Sequence, residues 1–270
     1  MKSVFIYDLP TRIFHWSFAG LFLTSFFIGK TIDDEELLFS YHMLSGMVLT
    51  FIILLRVIWG IWGSEHAKFQ NFDLNPLNLK NYFLGLIANS RERWAGHNPA
   101  SSWAALIMMG LGLSLGATGF FMVTGWKEQL EDFHEVAAHV FMIIVVIHIM
   151  GIIIHTIRHK DWIGLSMVTG NKILPSETSG ITKSHFAVSI VFLGLAVGFA
   201  SYLNANFDVT KRTLNLFGQT LELGSLEEDY KNSNPSNKTT ESYEFNKTRE
   251  TDETQETQET DESEEDEETD

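Results

Sequence analysis

Phe133–Ile157 reads FHEVAAHVFMIIVVIHIMGIIIHTI, and this stretch decides the fold. It is long and apolar enough to span a bilayer as a helix, which takes about 20 residues. Four histidines interrupt it, at 134, 139, 148 and 155. Ionisable side chains inside a span are costly and mark function. His134 and His148 are 14 residues apart. At about 100° per residue they differ by roughly 40° in azimuth, so one helix face carries both. Along the axis they are separated by roughly 21 Å.

Four more runs have the same character, about 12–29, 41–62, 101–124 and 185–203. None alternates with a period of two, so helices rather than barrel strands are expected. His15 falls in the first run and His42 at the start of the second. His15 is 15 residues before Lys30, and His148 is 16 residues after Asp132. Both therefore sit roughly 23 Å below the surface at which those helices end. His42 and His134 lie at that surface. The four sort into two pairs at two depths, the geometry of two stacked haems with axial imidazoles in a helical bundle.

The remaining histidines are read more plainly. His139 points about 140° away from His134 and is assigned to packing. His155, seven residues past His148, is the rival ligand. His66, His97, His159 and His185 lie at or beyond helix ends. Arg56, 14 residues past His42, falls at the depth of the inner pair, where a buried charge needs a partner such as a haem propionate. Arg12, one turn before His15, is assigned the same role or snorkels to the surface. Gly46, Gly151 and Gly20 sit near the ligands and leave room for a flat macrocycle. The pairs Gly112/Gly116 and Gly194/Gly198 suit helix–helix packing.

The loops set the sidedness. Residues 30–40 and 125–132 are acidic, whereas 63–100 and 156–184 carry the lysines and arginines. An excess of basic residues marks the cytoplasmic side, so the N-terminus is expected in the cytoplasm and, after five spans, the C-terminus in the periplasm. The N-terminus lacks the basic region and cleavage site of a signal peptide. Asn75-Pro76 starts a short helix through about Ser90, and Asn98-Pro99 caps the third span.

Net charge is −15, and residues 221–270, with 19 Asp/Glu and four Lys/Arg, account for all of it. That tail lacks the aliphatic residues to bury a core, and disorder is expected. The chain has no cysteine, which excludes disulfides, Cys-ligated iron–sulfur clusters and covalent haem attachment. Nothing suggests a nucleic-acid partner.

These motifs resemble the prokaryotic cytochrome b-561 / nickel-hydrogenase cytochrome b family. The resemblance is carried by Tyr7-Asp8-Leu9-Pro10-Thr11-Arg12-Ile13-Phe14-His15-Trp16, His42-Met43-Leu44-Ser45-Gly46, Arg56 through Ser64, Gly96-His97-Asn98-Pro99-Ala100, and His134-Glu135 through Gly151. It implies a four-helix core with two b haems, His15 paired with His148 and His42 with His134. It also implies electron exchange between membrane quinone and a redox partner, as a free-standing cytochrome or as the cytochrome b subunit of an oxidoreductase.

The expected architecture is an all-α membrane protein of the bacterial inner membrane. Residues 1–175 form the di-haem four-helix bundle, 176–204 a fifth transmembrane helix, and 205–270 a mostly disordered extracytoplasmic tail. The partner at the outer face is a c-type cytochrome or a hydrogenase-like subunit. Two rival functions remain: a transporter using intramembrane histidines, and a structural anchor for a hydrogenase-like complex.

Overall fold

A computed structural model describes residues 1–88 and 93–224. The acidic tail from 225, Arg91 and the end of the expected helix at Ser90 lie outside the described residues.

The described chain is mostly helical. The long helices are α1 (Leu9–Thr31), α2 (Phe39–Trp62), α4 (Pro99–Phe121), α5 (Lys127–His159) and α7 (Phe186–Ala205); α3 (Pro76–Ile87) and α6 (Ser166–Thr169) are short. By length and composition, three helical stretches can cross a membrane: Phe39–Trp62, the joined Pro99–His159, and Phe186–Ala205. The joined stretch holds two expected spans. Gly125, at φ 109°, breaks it through a short π-helical turn, Met122–Trp126. A positive φ of this kind is open to glycine at little cost.

The capping signals hold. Asn98 accepts from the Ser101 amide, and Asn75 from the Leu77 amide. Asp8 caps α1 by accepting from the Thr11 amide, and its second oxygen accepts from Trp59 Nε1 at 3.0 Å. That places the start of α1 against the end of α2 with the carboxylate fully buried.

Two boundaries differ from expectation. The segment 125–132, read as a loop, contains the first turn of α5 from Lys127, because its polar residues extend the helix beyond the apolar stretch. The ordered chain also continues past 204. Three antiparallel strands, β3 (Phe207–Asp208), β4 (Thr213–Leu216) and β5 (Gln219–Glu222), follow α7. Leu214, Leu221 and Leu223 of this sheet are buried against Leu44, Leu203 and Phe207.

The two ends of the bundle are tied separately. At one end, the inner end, β1 (Lys2–Phe5) pairs with β2 (Asn171–Leu174), and Lys172 Nζ donates to the carbonyls of Ala95 and Gly96. At the other, the outer end, Lys127 pairs with Asp34 at 2.8 Å, Lys30 with Glu135 at 3.6 Å, and Ser40 donates to the Leu223 carbonyl. The basic loops thus share one end and the acidic loops the other.

Helices α1 and α2 pack together, as do α4 and α5. Gly112 and Gly116 face Ile53 and Thr50 of α2, and a Cβ at either would clash. Gly194 and Gly198 of α7 meet nothing within 4 Å. Val136, Val140, Ile143, Val146, Ile147 and Ile154 of α5 are exposed. A water-soluble chain rarely leaves so large an apolar face uncovered, and lipid covers it here.

Candidate functional site

His42, in the first turn of α2, lies against α1. Its Nδ1 is 2.7 Å from the Ser25 carbonyl. A carbonyl only accepts, so Nδ1 carries the proton and Nε2 keeps its lone pair. Gly29 permits this approach, since a Cβ there would fall 2.7 Å from His42 Nδ1. Phe39 stacks on the ring at 5.2 Å.

His134 is held in the same way by α4. Its Nδ1 is 2.8 Å from Thr118 Oγ1. The Thr118 hydroxyl has one proton, and the carbonyls of Ser114 and Leu115 lie at 2.9 and 3.1 Å to receive it. Thr118 therefore accepts from His134, and again Nε2 is left free. Tying the far ring nitrogen to a carbonyl or hydroxyl is how proteins orient a metal-ligating imidazole. The His42 and His134 ring centroids are 6.1 Å apart. Metal–imidazole bonds run about 2 Å, so two rings facing one ion from opposite sides have centroids roughly 6 Å apart.

At the inner end, His15 of α1 and His148 of α5 are near enough to interact electrostatically. His15 Nδ1 is buried and has no hydrogen-bond partner. A Cβ on Gly20 or Gly151 would meet nothing within 4 Å, so open space lies beside both.

Arg56 is 3% exposed. Its Nη2 donates to the Ala67 carbonyl at 2.9 Å, and Phe14 and Phe69 lie 5.7 and 5.1 Å from the guanidinium. Its Nη1 is buried without a partner. The nearest acid that acts on it, Asp8, is already engaged by Thr11 and Trp59. A buried cation with an open donor suits an anionic group brought in by a ligand. Arg12 donates instead to the Val168 carbonyl at the end of α6, and its Nε is buried without a partner.

Between the two pairs stands Phe141, midway along α5 from His134 to His148 and fully buried. It stacks on Phe22 of α1 at 4.0 Å and approaches Phe18 at 5.7 Å. These rings link α1 to α5 at mid-depth, between the two histidine pairs.

The other histidines separate from these sites. His139 Nδ1 lies 2.9 Å from the Glu135 carbonyl of its own helix. His155 pairs with Asp161 at 3.4 Å and stacks on His159. His185 packs on Trp59. His97 is placed more tightly than a residue beyond a helix end suggests. It sits between Tyr7 and Phe72, at 5.8 and 4.7 Å, and interacts electrostatically with Arg56 and His148. Burial first, then Lys172 and Arg56, push its pKa down to about 3. Ser25, Thr118 and Phe141 were not singled out by the sequence, and His97 only as a histidine at a helix end within a family motif, because their roles arise only when helices meet.

Among the described residues, no group of three or more His, Asp or Glu converges as a metal site. The imidazoles come in twos, with Nε2 free on His42 and His134, Nδ1 of His15 without a partner, and open space beside Gly20 and Gly151 at the inner pair. That is the donor set of a bis-imidazole haem.

A helical membrane protein with paired imidazoles between its helices is the class that fold and site define. More particularly, the family model for prokaryotic cytochrome b561 matches residues 6–170, and the chain belongs to that family. It is a b-type cytochrome, and its cofactor is haem b. A probable Ni/Fe-hydrogenase B-type cytochrome subunit of Rhizobium leguminosarum bv. viciae is 25% identical over 64% of this chain and 90% of its own. Its counterparts in Rhodobacter capsulatus (21%, covering 65% and 83%) and Azotobacter vinelandii (22%, covering 65% and 90%) are similar. No solved structure matches.

Proposed function

We propose that this chain carries electrons between membrane quinone and a redox partner through two haems, one held by His15 and His148, the other by His42 and His134. The observation that carries this reading is the outer pair: two imidazoles 6.1 Å apart, each with Nδ1 engaged and Nε2 free. The inner pair recurs on the same face of α5, with an orphaned His15 nitrogen and an orphaned Arg56 donor beside it.

Haem b supplies a one-electron couple at iron. The protein supplies ligation, orientation and electrostatics. His15, His42, His134 and His148 give the axial nitrogens. Arg56 offers Nη1 to a propionate, and Arg12, whose Nη1 is taken by Val168, offers its unpartnered Nε. Phe141 with Phe22 keeps the compartments apart and excludes water between them.

The basic inner end supports placing it in the cytoplasm, with five spans (α1, α2, α4, α5 and α7) in the bacterial inner membrane and the sheet β3–β5 outside. The names of the relatives support a hydrogenase-like subunit as partner, at the outer end beside the His42/His134 pair. A c-type cytochrome drawn by the acidic tail is the second partner reading, on sequence charge alone.

The test is reduction of the reconstituted protein by a quinol. His42→Ala should retain the inner haem and its reduction by quinol while losing transfer to an acceptor outside. Unchanged transfer to that acceptor contradicts the assignment.

A further inference from the structure

Seven residues past His148, His155 takes its partner from beyond the helix end. Its Nε2 lies 3.4 Å from Oδ1 of Asp161, in the turn after α5. The other carboxylate oxygen takes Arg93. Oδ1 is buried and receives no well-formed hydrogen bond, so the ion pair with Arg93 leaves half of this carboxylate open to a proton. The side chains of His155 and Asp161 are only 18% and 10% exposed. With Arg93, Trp94, Asn171 and Lys172 they line a cavity of about 60 Å³, which has room for water and polar groups to hold it.

Among the described residues, the charged or titratable groups acting on His155 all belong to this cluster: His159 on its own helix, Asp161 beyond it, Arg93 from the segment before α4, and Lys172 from β2. The Lys172 ammonium acts electrostatically on His97 as well, and so does His148 of the inner pair. A purely structural ion pair explains Arg93 with Asp161. It does not explain an imidazole set against the one unsatisfied carboxylate oxygen.

We infer that His155 and Asp161 are a proton-relay pair, exchanging protons between water at the inner end and a quinone that reacts near His15 and His148. This rests on the quinone reading. A quinone taking two electrons also takes two protons, one on each ring oxygen, to become quinol; a quinol oxidised there releases two of each. Asp161 exchanges a proton with cavity water and with His155 Nε2. The imidazole moves it on through its second nitrogen, as a neutral or singly charged ring.

The test uses the full chain in liposomes, with His155→Gln and Asp161→Asn. Haem content, reduction by dithionite, and the rate of reduction by duroquinol are each followed between about pH 5 and pH 8, the range in which histidine changes charge. Dithionite needs no proton from the pair. The expected result is full haem content and unchanged dithionite reduction, with the duroquinol rate lower by on the order of 100-fold and its pH profile altered. Added imidazole should restore part of the rate in His155→Ala, and Asp161→Glu should keep most of it. Wild-type duroquinol rates and pH profile in haem-replete variants overturn the relay. Loss of haem in both His155→Gln and Asp161→Glu also overturns it, showing a structural pair. Failure of duroquinol to reduce the unmodified protein overturns the quinone reading, and the relay with it.

Discussion

An imidazole has two ring nitrogens, and the partner of one fixes what the other can do. His42 and His134 both spend Nδ1, on the Ser25 carbonyl and the Thr118 hydroxyl. Thr118→Val removes the acceptor for His134 and should weaken haem retention at the outer site by about 10–100-fold, the usual cost of losing such an outer partner. Gly29→Ala puts a Cβ 2.7 Å from His42 Nδ1 and should have a larger effect at the same site. Haem titration of the apo-protein measures both, and unchanged stoichiometry and affinity would show that the ring orientation does not matter. That His42 meets His134, and that His15 lies near His148, was legible in sequence because helical spacing is a local property. Ser25 and Thr118 were not, because nothing along α1 or α4 records what a neighbouring helix brings. His97 adds a pH dependence. Its native pKa of about 3 lies below its ordinary value near 6.5, so the unfolded chain binds the extra proton. Its contribution to stability is complete above about pH 6.5 and is lost as pH falls from there toward 3. In detergent, His97→Gln should flatten this acid limb of the stability curve; an unchanged slope would assign it to other groups.

At the scale of elements, the bundle is two helix pairs joined by the close approach of Gly112 and Gly116 to α2 and by the rings of Phe141, Phe22 and Phe18. Phe141→Ala should cost about 3–5 kcal/mol, the range for emptying a buried phenylalanine site, and disturb both haem compartments, since Phe141 is the ring between them. Unfolding in mixed detergent measures it, and a loss below about 1 kcal/mol would mean that the bound haems, not the rings, hold the pairs together. Helix starts at Asn75 and Asn98 could be read directly, because a cap is written in adjacent residues. The start of α5 could not, since Glu128, Glu131 and Asp132 look the same in a loop as in a helix leaving the membrane. The sheet β3–β5 was hidden for a different reason. Its hairpin turns at Phe217-Gly218, both at positive φ. The primed turn thus has glycine at its second position but not the asparagine or aspartate that usually announces it. The apolar residues of the sheet are few, and gain their burial from α2 and α7.

Over the whole molecule, charge separates the two ends. The β1–β2 end gathers the basic loops, and the end with Asp34, Glu135 and β5 the acidic ones. Because the chain has no cysteine, single introduced thiols report sidedness without background. In intact cells, Glu131→Cys should react with an impermeant maleimide, and Lys68→Cys only after permeabilisation. The reverse pattern would invert the orientation and move the proposed relay to the periplasmic side. The gathering of the basic loops at one end and the acidic loops at the other was readable from charge because it depends on composition. That His42 meets His134 at one depth was readable because helix rise is constant.

The account stands or falls on the two compartments of the bundle. Pyridine haemochrome quantitation of the purified protein, expressed with ample haem and compared with single histidine variants, tests this directly. Two haem b per chain are predicted. His42→Ala and His134→Ala should each lose the same one, and His15→Ala and His148→Ala the other. One haem lost by all four variants, or no haem at all, would contradict it.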